Sequence, residues 1–177
     1  MSEQTDALIK FLRNLRAVRE YTTQPVSQDV IEKILEVGRW SGSASNWQPS
    51  EIVVVRDRAA LQQIGDNGAR PATGAAAALL IVTAGDTERG DLEAFDTGRL
   101  VERLLLAAKA VGLGANIATI KGEGPEIVKK TLGIPADRRV WTVVTVGHID
   151  QEARKARPAS ATAGRKTNDQ FVHWDRY

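Results

Sequence analysis

An α+β fold is predicted for this chain by three features: apolar residues at helical spacing in its first forty positions, short continuous apolar runs near residues 52, 77 and 141, and a segment from Gly98 to Gly112 that is apolar nearly all round. At 177 residues the chain is long enough to bury most of the surface its unfolded form exposes, and one domain over residues 1–177 is expected.

The elements follow in order. Leu8, Phe11, Leu12, Leu15 and Val18 recur three and four apart, which predicts an opening helix ending near Tyr21–Pro25. Ser27 is placed to cap a second helix whose apolar stripe is Val30, Ile31, Ile34, Leu35 and Val37, and Gly38 to Pro49 breaks that pattern as a loop. Ile52–Val55 reads as a strand, and Asp57 then caps a brief helix ending at Gly65. Ala77–Thr83 and Trp141–Val146 are apolar without alternation, so each is expected to be a strand covered on both faces. Leu100, Val101 and Leu104 to Ala108 leave Gly98–Gly112 only a narrow polar strip; a partner subunit or the chain's own core can supply the second wall. Gly112–Ala118 leads to a further strand. Pro125 suits the first turn of a helix over Glu126–Leu132, ended by Gly133 and Pro135. Gln151 to Lys166 is rich in Ala, Arg, Ser and Thr with no period, so residues 151–177 are expected to form an extended C-terminal arm.

Composition narrows the chemistry. With no cysteine there is no disulfide, thiol nucleophile or cysteine-held metal, and redox chemistry has to come from a bound cofactor. No run reaches the ~18 apolar residues of a membrane span, and the opening segment lacks a signal-peptide core, so a cytoplasmic protein without membrane contact is expected. Lys+Arg 24 against Asp+Glu 22 is too balanced to advertise a nucleic-acid surface. No GxGxxG, GxxxxGK[ST] or GxSxG motif is present, and His148 and His173 have no partner at metal-ligand spacing.

Three clusters remain. Arg16 and Arg19, three apart, would share a helix face and could fork onto a phosphate, although a solvated face uses such pairs as well. Ser43-Ala44-Ser45-Asn46-Trp47-Gln48-Pro49 sets amide donors and acceptors among small residues, which suits a flat heteroaromatic edge or a long capping loop. Ile120-Lys121-Gly122-Glu123-Gly124-Pro125 places backbone N–H groups before a helix, as an anion site or an ordinary turn would.

In this order the clusters resemble the nitroreductase family of FMN-dependent oxidoreductases. Arg16 to Tyr21 with Pro25-Val26 is similar to its opening Arg-rich motif; Gly38 to Pro49 followed by Ile52–Val55 to its second; Leu104 to Gly114 to its long dimer-interface helix and the strand after it. Lys121-Gly122 through Pro135 resembles the stretch beside the flavin ring, and Arg165-Lys166 with Val172-His173-Trp174 the C-terminal tail. The resemblance implies a central mixed, mainly antiparallel sheet wrapped by helices in an intertwined homodimer. It implies that Arg16, Ala17, Arg19, Arg165 and Lys166 hold the FMN phosphate and ribityl chain. Ser43, Ser45, Asn46 and Gln48 would contact ribityl and ring, often from the partner subunit, and backbone at Lys121 and Gly122 would lie near N5. No side chain is required as nucleophile, since the flavin carries the chemistry. The implied reaction is reduction of a small electron-poor acceptor, a nitroaromatic or quinone, by NADH or NADPH through ping-pong hydride transfer. Storage or delivery of FMN without turnover is the alternative. Leu15, Ala17 and Ser50 depart from the Arg, Ser and Trp that the family often carries there.

Overall fold

The computed structural model describes residues 2–85, 88–158 and 164–177. Strands β1 (Ser50–Val55), β2 (Ala77–Thr83), β3 (Gly114–Thr119) and β4 (Arg139–Gly147) form one sheet in the order β1-β2-β4-β3. All three pairings are antiparallel, so among the described residues the sheet is antiparallel throughout and not mixed. Helices α2 (Gln28–Arg39) and α4 (Gly90–Ala110) supply one core, with Ala77, Leu79 and Ile81 of β2. Helices α3 (Arg58–Asp66) and α5 (Gly124–Leu132) supply a second, with Ala78, Leu80 and Val82. Alternate residues of β2 therefore serve opposite cores, and every one of its seven residues is buried. This two-sided cover is why Ala77–Thr83 shows no polar alternation.

Four boundaries differ from the sequence reading, each for a tertiary reason. The first helix, α1 (Glu3–Arg13), closes at Asn14 and does not reach Val18. Val18 instead donates its N–H to Ala115 O at 2.8 Å beside β3, and its side chain is buried where Gly114 has no Cβ to obstruct it. Helix α2 continues through Gly38, because the missing side chain lets Leu104 of α4 approach; a Cβ there would lie 2.7 Å from Leu104 Cδ2. Helix α4 begins at Gly90, eight residues before the predicted start, and encloses Gly98. Its Leu100, Val101, Leu104, Ala107 and Ala108 are buried within the one chain, while Leu105 and Leu106 are half-buried. The expected arm opens with a helix, α6 (Gln151–Ala156), capped by Asp150, whose Oδ1 accepts the Ala153 N–H at 2.9 Å. Residues 159–163 of the arm lie outside the described residues. After them comes an exposed tail with the short helix α7 (Asn168–Phe171). No helix of the described residues is long and apolar enough to cross a membrane.

Candidate active site

The segment after α1 runs along β3, an edge strand. Besides the Val18 contact, Tyr21 bridges to Ile149, and the Tyr21 hydroxyl donates to Val18 O at 2.6 Å. Extended backbone sends positions three apart to opposite sides. Arg16 and Arg19 consequently do not share a helix face; they enter two adjoining clefts. Arg16, Ala17 and Arg165 line one of ≈ 490 Å³, where the Arg16 guanidinium also donates to Arg13 O at 2.9 Å and Leu15 O at 2.7 Å. Arg19 and Lys121 line the next, of ≈ 730 Å³. Ile117, half exposed on β3, lies in the wall of both. Lys166 is exposed beside Arg165 but outside the lining of either cleft.

Lys121 lines the larger cleft from a turn it shares with Gly122, which is itself outside the lining, and the turn is fixed from two directions. The Lys121 N–H donates to Asn67 O at 2.9 Å, and the Gly124 N–H donates back to Lys121 O at 2.9 Å. Gly122 has φ +58°, and Gly68, with φ +114°, lies where a Cβ would be 2.9 Å from Thr119 O and 3.1 Å from Lys121 N. Only glycine suits that conformation and closeness together. The cleft also holds Asn116, which is 1% exposed with Oδ1 unpartnered, and Arg70, at the start of the 3-10 turn Arg70–Gly74. The sequence reading missed both. Asn116 sits in a run read only for its apolar residues, and the signal for Arg70 was the Gly-Ala-Arg-Pro punctuation after α3.

Ser43, Ser45, Asn46 and Gln48 stand elsewhere. Ser45, Asn46 and Gln48 have φ of 50°, 56° and 52°, on either side of a right-handed Trp47, and non-glycine residues adopt such left-handed angles only when surrounding structure enforces them. Ser43 Oγ accepts the Gln48 N–H at 2.8 Å, and buried Asp96 of α4 accepts the Ala44 N–H at 2.9 Å through Oδ2. Asp96 Oδ1 in turn lies 3.3 Å from Arg99 Nη1. Asp96 too was missed, because Gly98 reads as a helix boundary and hides the turn before it. Ser43 and Gln48 line a third cleft of ≈ 520 Å³, where the buried hydroxyls of Ser41 and Ser50 have no partner; Ser45 and Asn46 project beside it, exposed. At its mouth the Arg39 guanidinium, with Trp40 Nε1, holds the Glu36 carboxyl down to about 2. This cleft adjoins β1, the opposite edge of the sheet from β3. Three strand spacings separate the edges by roughly 14 Å. The structure thus brings the Arg16, Ala17 and Arg165 group together with Arg19 and Lys121, and leaves the Ser43–Gln48 turn across the sheet.

The protein called an NADH dehydrogenase/NAD(P)H nitroreductase in Archaeoglobus fulgidus is 29% identical over 150 residues, covering 81% of this chain and 86% of its own. An FMN reductase [NAD(P)H] of Bacillus subtilis is 26% identical over 174 residues, 85% of this chain and 69% of its own. Among solved structures, an NADH dehydrogenase/NAD(P)H nitroreductase from Parabacteroides distasonis superposes with TM-score 0.81 at 26% identity, over 99% of this chain and 100% of its own. The model of the nitroreductase family matches residues 12–70 and 63–148, a span that takes in the β3-edge segment, the Ser43–Gln48 turn, the Lys121 turn and all four strands, and the chain belongs to the nitroreductase family.

Proposed function

We propose that the chain is an FMN-dependent oxidoreductase that uses NADH or NADPH to reduce a small electron-poor acceptor of nitroaromatic or quinone type, as one cytoplasmic domain over residues 1–177 working as a homodimer. The observation that carries this is the meeting of Arg16, Ala17 and Arg165 with Arg19 and Lys121 at two clefts that share Ile117. The donor set fits the cofactor. Guanidinium groups at one end suit a phosphate, and the orphaned amide oxygen of Asn116 in the larger cleft suits an N–H or hydroxyl of the ligand.

Arg16, Ala17, Arg165 and Lys166 would hold the phosphate end, and Arg19, Lys121 and Gly122 the ring. Bound there, the flavin supplies a two-electron redox centre that NAD(P)H and the acceptor use in turn. The protein's share is to orient: the Asn67 and Gly124 contacts fix the Lys121 turn, and Tyr21 fixes the strand-edge segment that carries Arg19. Ser43, Ser45, Asn46 and Gln48 lie across the sheet from these groups, so they complete the site only from a second copy. Exposed apolar residues on α1 and α4, including Leu8, Leu12 and Phe95, offer the surface for that copy.

The test is the absorbance spectrum of the purified protein, followed by anaerobic mixing with NADH or NADPH in a stopped-flow instrument. Bound flavin that bleaches within the turnover time, and is reoxidised by a quinone, supports the proposal. Flavin that binds and does not bleach assigns the protein to flavin storage instead, and absence of any flavin affinity rejects both.

A further inference from the structure

We infer that Arg56 and Arg58 form an anion site of their own, which takes the phosphate group of a small ligand other than the flavin. Both line a fourth cleft, of ≈ 450 Å³, between the segment 22–26 and the end of the 3-10 turn Arg70–Gly74. Tyr21, Thr73 and Gly74 stand between it and the larger β3-edge cleft, lining both. It shares no residue with the cleft of Arg16 and Arg165, to which the flavin phosphate is assigned.

The two guanidiniums are held in place by neutral partners. Arg56 directly follows β1 and Arg58 opens α3, so both extend from the ends of packed elements. Arg56 Nη2 donates to Val26 O at 3.1 Å, Arg58 Nη1 donates to Ala75 O at 2.7 Å, and Arg58 Nη2 donates to Thr73 O. These carbonyls belong to residues of the same cleft wall, and Val26 and Ala75 are buried. A guanidinium has more donors than such bonds use, and the rest are left for a ligand. The charge is left as well. No carboxylate lines the cleft among the described residues, and neither arginine forms an ion pair with a described carboxylate. Asp57 stands between them in sequence, yet it caps α3, its Oδ1 accepting the Ala60 N–H at 2.9 Å.

Two like charges in one cleft with no counter-charge repel each other, and a bound anion removes that cost. Paired guanidinium forks suit a phosphate, which offers several acceptor oxygens at once. Thr22 adds a neutral donor: its Oγ1 accepts the Gln24 N–H at 3.3 Å, so its own proton is free to be donated into the cleft. The volume exceeds what a phosphate alone fills and lies in the range of small-molecule pockets, with Pro25, Val26 and Ala75 as an apolar wall for the remainder of the ligand. An occupant would join the segment 22–26, the end of β1 and the start of α3, so binding should raise stability by linkage.

The experiment titrates the FMN-loaded protein by calorimetry with inorganic phosphate, adenosine 5′-monophosphate and adenosine, in wild type, Arg56→Gln and Arg56→Lys, chloride holding the ionic strength constant. Thermal unfolding is followed at the same ligand concentrations. Arg56 is chosen because Arg58 also anchors the 3-10 turn. The phosphate-bearing ligands should bind and raise the Tm, and adenosine should do neither. Affinity should fall by roughly tenfold in Arg56→Gln, be largely kept in Arg56→Lys, and weaken at high salt. Tighter binding of the monophosphate than of inorganic phosphate identifies a phosphoester as the source, and equal affinity identifies free phosphate. Adenosine binding as well as its monophosphate, no binding of either phosphate ligand, or affinity untouched by Arg56→Gln overturns the site. A titration lost in Arg16→Ala and kept in Arg56→Gln places the anion in the flavin cleft and overturns it too. Flavin content, read by absorbance in each sample, keeps this result separate from the flavin reading.

Discussion

The hydroxyls of Tyr21 and Thr145 lie 2.8 Å apart, joining the segment that carries Arg16 and Arg19 to the C-terminal half of β4. Since the single Tyr21 proton goes to Val18 O at 2.6 Å, Thr145 is the donor of the pair. Gly147 makes room for the ring; a Cβ there would lie 2.9 Å from Tyr21 Cδ1.

Removing this hydroxyl tests whether it anchors the edge segment. Tyr21→Phe should cost about 1–3 kcal/mol, because Val18 O and the Thr145 hydroxyl both lose a partner. Burial pushes the phenol well above its ordinary value. A folded-state pKa above the unfolded one means stability is intact below the unfolded value of about 10 and falls as pH rises beyond it. Urea denaturation at several pH values should therefore show an alkaline loss in wild type that is shallower in Tyr21→Phe. Parallel pH curves would remove the buried phenol as its source.

The strands were legible in the sequence because β2 and β4 feed cores on both faces and so carry unbroken apolar runs. The end of α1 was not. Val18 continues the helical spacing of Leu8, Phe11 and Leu15, yet its burial comes from Gly114 and β3, a contact almost a hundred residues away in sequence. For the same reason the two arginines were identified and their geometry was not. The two halves of the candidate site were each visible as motifs, but their separation across the sheet depends on strand order, which local spacing does not encode. The buried acids Glu93 and Asp96 interrupt the apolar pattern of α4 and disguise its first two turns. Both are satisfied by distant partners, Thr83 and Gly85 for Glu93 and Ala44 for Asp96.

Asp96 should matter to flavin retention without touching the β3-edge clefts. Its carboxylate holds the left-handed turn at Ala44, and in Asp96→Ala that N–H and the Arg99 guanidinium lose their acceptor. A loss of about 2 kcal/mol in stability is expected. If the turn completes the site, FMN should also dissociate faster, read by recovery of free-flavin fluorescence on dilution. Unchanged release with lowered stability would confine Asp96 to folding.

Arg16 and Arg165 share a cleft on separate parts of the chain, so their effects on a phosphate ligand should be coupled. Either alanine variant should weaken FMN binding by about tenfold, the exposed setting keeping each contact modest. Riboflavin, lacking the phosphate, should bind both variants and wild type alike. A double-mutant cycle by fluorescence titration checks this: equal losses for FMN and riboflavin would remove the phosphate role.

Dimerisation is best tested on surface that one chain leaves bare. Leu105 and Leu106 are half-buried within the chain, so a charge there would confuse unfolding with dissociation. Helix α1 has no buried residue although Leu8, Ile9 and Leu12 are apolar, each at least 50% exposed, and on α4 Phe95 is 66% exposed. Exposed apolar surface of this kind on two helices is unfavourable in water and is covered when copies associate. A charge placed in that seam would have to be desolvated on association without a partner. Leu8→Glu combined with Phe95→Glu should therefore raise the dimer dissociation constant by at least about a hundredfold while the separated chains keep their circular dichroism. Because Ser43–Gln48 would then no longer reach the second copy's clefts, flavin should be lost in step with dissociation. Sedimentation equilibrium with simultaneous detection of protein and flavin follows both. A wild-type monomer that retains flavin, or a dissociated variant that does, would show that one chain completes its own site.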